Sequence, residues 1–192
     1  MFKDLVLKNR SYRGYDESRT VTREELRELI DCARLTPSSI NAQPFQYYLA
    51  AEKAVVEKIQ SLTKWAAALP KYELPHPGMR PAAFIVICQD LRVGESLNCY
   101  QKDVGIAAQT ILLAAAEKEL GGCMIGSFNA GAVSSALELK EHFAPVLIVA
   151  IGKPAEQIVL TEAEPGSNTA YYRDEQDVHY VPKRKLEDII IN

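Results

Sequence analysis

Ala82-Ala83-Phe84-Ile85-Val86-Ile87-Cys88 is a nearly continuous apolar run of strand length. Such a run is typical of a strand covered on both faces, because a half-exposed strand would alternate apolar and polar residues. The longest predicted helix follows over about residues 97–120, and its centre, Val104 to Ala116, is apolar on almost every side. We therefore expect a helix that is buried all round, between the sheet and a partner subunit, and that ends at a Gly121-Gly122 C-cap.

Strands and helices alternate on both sides of this core. Thr22 and Glu25 form a capping box that begins a helix of about twelve residues before Pro37. Short apolar segments predict further strands at 46–51, 123–128 and 145–151, and helical periodicity predicts a helix over 53–62, with Asn129 or Ser134 capping a short later one. The chain length predicts a single domain over residues 1–192, and the alternation predicts an α/β or α+β sandwich.

Composition limits the classes of partner. The chain has 192 residues, 47% of them apolar, and a formal net charge of -3 without a Lys/Arg-rich block. Nucleic acid and anionic membrane both require a concentrated positive field, so neither is expected as a partner. The N-terminus does not resemble a signal peptide, and no apolar run is long enough to span a membrane, so we expect a cytoplasmic location. The four scattered cysteines predict reduced, mostly buried thiols rather than a metal site.

Two segments depart from the regular alternation. Residues 63–80 contain Pro70, Pro75, Pro77 and Gly78, and we predict a short helical turn followed by an irregular, lid-like excursion. The tail, residues 170–192, keeps many aromatic residues and isoleucines after a polar stretch. A disordered tail would lack them, so we expect it to dock, on a second subunit.

The candidate chemistry lies in two segments separated by the first long helix. Asn9-Arg10-Ser11-Tyr12-Arg13 offers two guanidiniums and a hydroxyl, which suit a phosphate. Pro37-Ser38-Ser39-Ile40-Asn41-Ala42-Gln43-Pro44-Phe45 offers hydroxyls and carboxamides between prolines that fix its backbone. Taken singly, the arginines are better explained as solvated charges, and the second segment fits helix termination and turn chemistry equally well.

These segments resemble the nitroreductase family of FMN-dependent oxidoreductases, together with three landmarks in the same order. The landmarks are Asp103-Val104-Gly105-Ile106-Ala107, Leu120-Gly121-Gly122-Cys123-Met124-Ile125-Gly126 and Ile151-Gly152-Lys153-Pro154-Ala155. The resemblance implies an α+β sandwich with a central mixed, mainly antiparallel sheet flanked by helices. It also implies an interlocked homodimer whose two FMN sites are built by both chains.

The resemblance further assigns cofactor-binding residues. Arg10, Ser11 and Arg13 would contact the phosphate and ribityl chain, and Gly126 would lie near the isoalloxazine. Ring-edge or ribityl contacts would come from the second segment, through Pro37, Ser38, Ser39, Asn41 and Gln43. The basic tail element would return to the phosphate through Lys183 and Lys185, although spacing alone leaves open which of Lys183, Arg184 and Lys185 points inward.

The function implied is ping-pong transfer of a hydride from NADH or NADPH, through FMN, to an electron-poor small molecule such as a nitroaromatic or quinone. No catalytic side chain is required, because the flavin carries the hydride, so His76, His142 and His179 are not needed as catalysts. Three alternatives stay open: a same-fold enzyme that uses reduced FMN for dehalogenation or flavin cleavage, a flavin-binding sensor without turnover, and a phosphate-ligand module unrelated to flavin. The chain is short between Leu62 and Pro81, where family members often carry longer excursions, so the resemblance says little about substrate.

Overall fold

Five helices and seven strands make up the chain, and the computed structural model describes all of residues 1–192. The helices are α1 Phe2–Lys8, α2 Arg23–Ala33, α3 Lys53–Leu62, α4 Gln101–Glu117 and α5 Ala130–Ala136, with a short 3-10 turn at Ser39–Asn41. The strands are β1 Phe45–Ala50, β2 Ala83–Asp90, β3 Gly121–Ile125, β4 Phe143–Gly152, β5 Ile158–Ala163, β6 Tyr172–Arg173 and β7 His179–Arg184.

The central sheet has the strand order β1-β2-β4-β3, and every neighbouring pair is antiparallel. All eight residues of β2 are buried, as its apolar run predicts. Alternate β2 residues serve opposite faces: Ile85 and Ile87 pack with α2 and α4, whereas Phe84 and Val86 pack with α3 and α5. Helices thus cover both faces of an antiparallel sheet, which confirms the α+β sandwich.

Local sequence signals place several helices correctly. At the start of α2, the Thr22 hydroxyl accepts a hydrogen bond from the Glu25 backbone N–H at 3.2 Å, and Glu25 accepts one from the Thr22 backbone N–H at 2.8 Å. The predicted capping box is therefore present. Helix α3 has its predicted bounds, and Asn129 caps α5 by accepting a hydrogen bond from Ala132 N–H at 2.9 Å.

Helix α4 differs from its prediction in two ways. It is not buried all round, since Gly105, Ile106 and Gln109 are exposed along one face of the helix. It also ends at Glu117 rather than at a glycine C-cap. Gly121 and Gly122 belong to β3 instead, and a Cβ on Gly122 would lie 2.1 Å from the Ala150 carbonyl oxygen. These glycines are required by close strand packing, not by helix termination.

The tail forms a second, three-stranded sheet with its own chain. Strand β7 lies between β5, to which it is parallel, and β6, to which it is antiparallel. Beyond β7 the side chains of Leu186, Ile189, Ile190 and Ile191 are exposed, between 52% and 100%. Docking of the tail on a second subunit stays a prediction.

The excursion at 63–80 contains no helix and is held against its own chain. Trp65 Nε1 donates to Thr63 Oγ1 at 2.9 Å, and the ring belongs to the core on the α3 side of the sheet. Tyr72 donates from its hydroxyl to the Arg173 carbonyl at 3.4 Å, and His76 Nε2 lies 3.0 Å from Asp177 Oδ2. These contacts favour packing roles for the aromatic side chains, and the lid function stays a prediction.

The cysteines match their prediction only in part. Cys88 and Cys123 are buried, but Cys32 and Cys99 are exposed, so the expectation of mostly buried thiols was wrong for half of them. No three His, Cys, Asp or Glu side chains are grouped so that they could hold a metal ion. None of the helices combines the length and the apolar character needed to cross a membrane.

Candidate functional site

A basic cavity of about 410 Å³ lies between the central sheet and the tail sheet. Three of its lining residues are cationic, namely Arg10, Arg13 and Lys183, and none is a carboxylate. The remaining lining residues are Asn9, Ser11, Gln109, Leu112, Met124, Ile158, Tyr171, His179 and Val181. The fold therefore gathers positive charge from both ends of the chain at one place.

Strand β3 positions the N-terminal side of this cavity. Ser11 forms a parallel bridge with Gly122, and the Tyr12 backbone N–H donates to the Gly122 carbonyl at 3.0 Å. A Cβ on Gly121 would lie 2.5 Å from the Tyr12 ring. The paired glycines thus let the segment Asn9–Arg13, which we call the arginine segment, lie directly against the sheet.

Strand β7 positions the C-terminal side. His179, Val181 and Lys183 are alternate residues of this strand, and alternate residues share a face. All three line the cavity. The alternation could have identified His179 as a neighbour of Lys183, but its residue type alone gave no such signal.

The cations of the cavity have no anionic partner in the chain. Arg13 is 9% exposed, and its guanidinium lies 4.9 Å from the centroid of the Tyr171 ring and donates only to the Ser11 carbonyl, at 3.3 Å. Arg10 donates to the Val6 carbonyl at 2.7 Å, while its Nε is buried without a partner. Burial of an unpaired charge costs free energy, so this arrangement suits a bound anion.

His179 is a buried imidazole on the β7 side of the cavity. It is 2% exposed, its ring meets Tyr171 edge-on at 5.3 Å, and neither ring nitrogen has a hydrogen-bond partner. Burial, together with the positive charges of Arg13 and Arg173, lowers its pKa to about 4. The imidazole is therefore neutral at pH 7 and adds no charge to the cavity.

A second, smaller cleft of about 180 Å³ lies beside the segment Pro37–Phe45, which we call the serine loop. Of the predicted site residues in this loop, Pro37, Ser38 and Gln43 line the cleft, whereas Ser39 and Asn41 do not. Asp103 at the start of α4 holds this loop. Its carboxylate accepts hydrogen bonds from Ser38 Oγ at 2.8 Å, from Ser39 N–H at 2.7 Å and from Ser39 Oγ at 2.7 Å. Burial raises the pKa of Asp103, but these hydrogen bonds outweigh it, and the net pKa is lowered. Asp103 was recognised as part of a landmark, but its role in holding the loop was not predicted.

The serine loop has an unusual backbone. Ile40, Asn41 and Gln43 have φ angles of 50°, 56° and 49°, and the Ile40 side chain is 95% exposed. The left-handed region is unfavourable for a β-branched residue, and this one gains no burial in return. Such conformations concentrate at ligand sites, where they direct backbone and side-chain groups toward a ligand.

The two clefts lie on opposite sides of α4 and share no lining residue. Asp103 and Ala107 face the serine-loop cleft, whereas Gln109 and Leu112 face the basic cavity. At about 100° per residue, these pairs point roughly 180° apart around the helix. One chain therefore does not join the two predicted halves of the site.

Comparison with known proteins agrees with this architecture. The profile described as the Nitroreductase family matches residues 6–153, most of the chain. The chain belongs to the nitroreductase family. An oxygen-insensitive NADPH nitroreductase of Helicobacter acinonychis is 25% identical, with 81% of this chain and 88% of that protein covered. The Bacillus subtilis protein YodC is 27% identical, with 80% and 91% covered.

Solved structures share the fold. A crystal structure from Exiguobacterium sibiricum, in complex with FMN, has a TM-score of 0.66 at 18% identity and covers 81% of this chain and 89% of that chain. A nitroreductase family protein from Streptococcus pneumoniae has a TM-score of 0.64 at 19% identity, with 88% and 95% covered. The nitroreductase fold predicted from the sequence is thereby confirmed.

The remaining predicted site residues of this nitroreductase-family chain lie apart from the basic cavity. Gly126 is exposed and follows the cavity residue Met124 by two positions. Lys185 is paired with Glu164, its Nζ lying 2.9 Å from one carboxylate oxygen and 3.1 Å from the other. Among the three basic tail residues, only Lys183 lines the cavity, and a cofactor contact from Lys185 stays a prediction.

Proposed function

We propose that this chain is an FMN-dependent oxidoreductase that takes a hydride from NADH or NADPH and passes it to an electron-poor acceptor such as a nitroaromatic or a quinone. The observation that carries the proposal is the basic cavity, which is lined by three cations and by no carboxylate. It is formed by the arginine segment and the tail. Two comparisons support the same chemistry. The Exiguobacterium sibiricum neighbour was crystallised with FMN, and the Helicobacter acinonychis relative is named an NADPH nitroreductase.

The residues present fit the phosphate end of FMN. Three cations without a carboxylate partner and a buried, unpartnered Arg10 Nε meet the needs of a dianion. We assign the phosphate and the adjoining ribityl chain to Arg10, Ser11, Arg13 and Lys183. FMN, when bound, supplies the hydride acceptance and donation, so no protein nucleophile or general base is required.

The serine loop fits the polar edge of the flavin. The carboxamides of Asn41 and Gln43 can donate hydrogen bonds, and such donors favour the negative charge that the ring gains on reduction. The Ser38 and Ser39 hydroxyls donate to Asp103 instead and hold the loop before any ligand binds. We assign the ring edge to this loop, through Pro37, Ser38, Ser39, Asn41 and Gln43, with Gly126 near the ring.

A homodimer would bring the two halves together. Because the basic cavity and the serine loop lie on opposite sides of α4, we propose that each FMN lies between the cavity of one chain and the serine loop of a second. The uncovered face of α4 at Gly105 and Ile106, and the exposed apolar end of the tail, provide surfaces for that second chain. This arrangement would cover Ile106, which is 40% exposed in the single chain.

The proposal is tested by the colour of the purified protein. We expect flavin absorbance in the protein, or its appearance after FMN is added, and loss of that absorbance when NADH or NADPH is added without oxygen. Flavin absorbance that neither nucleotide removes would indicate a flavin-binding protein without turnover. A colourless protein that does not bind added FMN would contradict the assignment of the basic cavity.

A further inference from the structure

A buried ion pair contacts the backbone of the arginine segment. Glu156, which follows β4, is paired with Arg173 of β6, and their side chains are 4% and 1% exposed. One carboxylate oxygen of Glu156 accepts the hydrogen bond from Arg173 Nη2, and the other accepts one from the backbone N–H of Arg13. Both oxygens of the carboxylate are therefore used.

This pairing leaves the Arg13 guanidinium free. Glu156 is the only carboxylate that contacts Arg13, and the contact is with the backbone N–H. No carboxylate lies within ion-pair distance of the Arg13 guanidinium. A buried carboxylate needs a cation to balance its charge, since it loses solvation in the interior. Arg173 is the competing cation that holds the carboxylate elsewhere.

Arg173 is also held through the second terminal nitrogen of its guanidinium. Its Nη1 lies 2.9 Å from Asp177 Oδ1 and donates to the Asp177 carbonyl at 3.2 Å. The second oxygen of Asp177 lies 3.0 Å from His76 Nε2, in the excursion at 63–80. An arginine whose two terminal nitrogens are both paired has a defined orientation, because its planar guanidinium cannot rotate without breaking one set of contacts.

We propose that Arg173 is a positioning residue for the cofactor phosphate: by binding Glu156, it keeps the Arg13 guanidinium available to the phosphate and fixes the backbone that carries it. This inference rests on the proposed function and extends it to two residues that do not line the basic cavity. It predicts a selective effect. Loss of Arg173 releases a carboxylate next to the phosphate site, which weakens binding of a phosphorylated flavin but spares a flavin without phosphate.

The test compares FMN with riboflavin, which lacks the phosphate. Dissociation constants of the apoprotein for both flavins are measured by quenching of flavin fluorescence in wild type, Arg173→Met, Glu156→Gln and the double variant. Arg19→Met is the matched control, because Arg19 also pairs with a glutamate, Glu25, but lies outside the basic cavity. Circular dichroism and thermal unfolding report whether each variant folds.

We expect Arg173→Met to raise the Kd for FMN by about 10-fold or more, the equivalent of one lost charge-assisted contact, and the Kd for riboflavin by less than about 3-fold. Glu156→Gln in the same chain should return the Kd for FMN to within about 3-fold of wild type, because the released carboxylate is gone. Arg19→Met should leave both constants unchanged.

Equal weakening of FMN and riboflavin by Arg173→Met, or no recovery in the double variant, would overturn the inference and leave the pair a structural one. If Arg173→Met fails to fold, Glu156→Gln is compared with the double variant. Equal FMN affinity in those two supports the inference, and a further loss of about 10-fold in the double variant overturns it. Wild type that does not bind FMN would instead contradict the proposed function, so the two failures are distinguishable.

Discussion

Arg13 offers a direct test of the basic cavity, because its guanidinium is buried and has no anionic partner in the chain. A hydrogen bond from a charged group contributes about 1.5 to 3 kcal/mol. If Arg13 binds the phosphate, Arg13→Ala should therefore raise the Kd for FMN by about 10- to 150-fold. Arg13→Lys should recover only part of the loss, since an ammonium lacks the planar fork.

The same substitution should have little effect on the fold. Arg13→Ala removes a buried unpaired charge, which is favourable, and a contact with the Tyr171 ring, which is unfavourable by about 0.5 to 2 kcal/mol. These opposing changes should leave the free energy of unfolding of the apoprotein within about 1 kcal/mol of wild type. Lost cofactor affinity with retained stability is the signature of a binding residue.

The assay is titration of apoprotein with FMN, followed by flavin fluorescence, with thermal unfolding of the same samples. Arg27→Ala is the control, because Arg27 pairs with Glu24 on the surface, is 65% exposed and lines neither cleft. Unchanged FMN affinity in Arg13→Ala would refute the reasoning and identify Arg13 as a structural cation stacked on Tyr171.

Three further predictions concern the serine loop, the proposed dimer and the buried imidazole. Asp103→Asn should raise the Kd for FMN by about 5- to 30-fold, because a neutral amide keeps only one of the two oxygens that hold the loop; unchanged affinity would show that the loop is held by other contacts. Heterodimers of Arg13→Ala and Asn41→Ala chains should regain one high-affinity FMN site per dimer, as fluorescence titration would show, whereas sites built within one chain would regain none. The pKa of His179 lies near 4 in the folded chain and near 6.5 when unfolded, so the unfolded state binds more protons and stability should fall as pH drops from about 6.5 to about 4. His179→Leu should flatten this dependence in denaturant unfolding, and an unchanged dependence would contradict the prediction.

Most of the secondary structure could be predicted because its signals are local. The Thr22 and Glu25 capping box begins α2, and the unbroken apolar run marks the buried strand β2. The end of α4 could not be predicted in this way. Glu119 adopts a φ of 59° just after the helix, while the two glycines are needed where the arginine segment and β4 approach β3. That requirement arises from contacts distant in sequence.

The candidate site was predictable by residue type but not by arrangement. The arginine segment and the serine loop both carry suitable groups, yet their separation on opposite sides of α4 follows from helix rotation in the folded chain. The choice of Lys183 over Lys185 depends on Glu164, which binds Lys185. The hydrogen bonds of Asp103 to the serine loop likewise join residues more than sixty positions apart, beyond the reach of any local pattern.

Separating the two half-reactions, reduction of bound FMN by NADH or NADPH and its reoxidation by the acceptor, tests the proposed function most directly. The FMN-loaded protein is reduced anaerobically with NADH or NADPH, freed of nucleotide by gel filtration, and then mixed with a quinone or nitroaromatic while flavin absorbance is recorded. We expect absorbance to be lost in the first step and restored by the acceptor alone in the second. Flavin that stays oxidised with both nucleotides, or reduced flavin that no acceptor reoxidises unless nucleotide is present, would contradict the account.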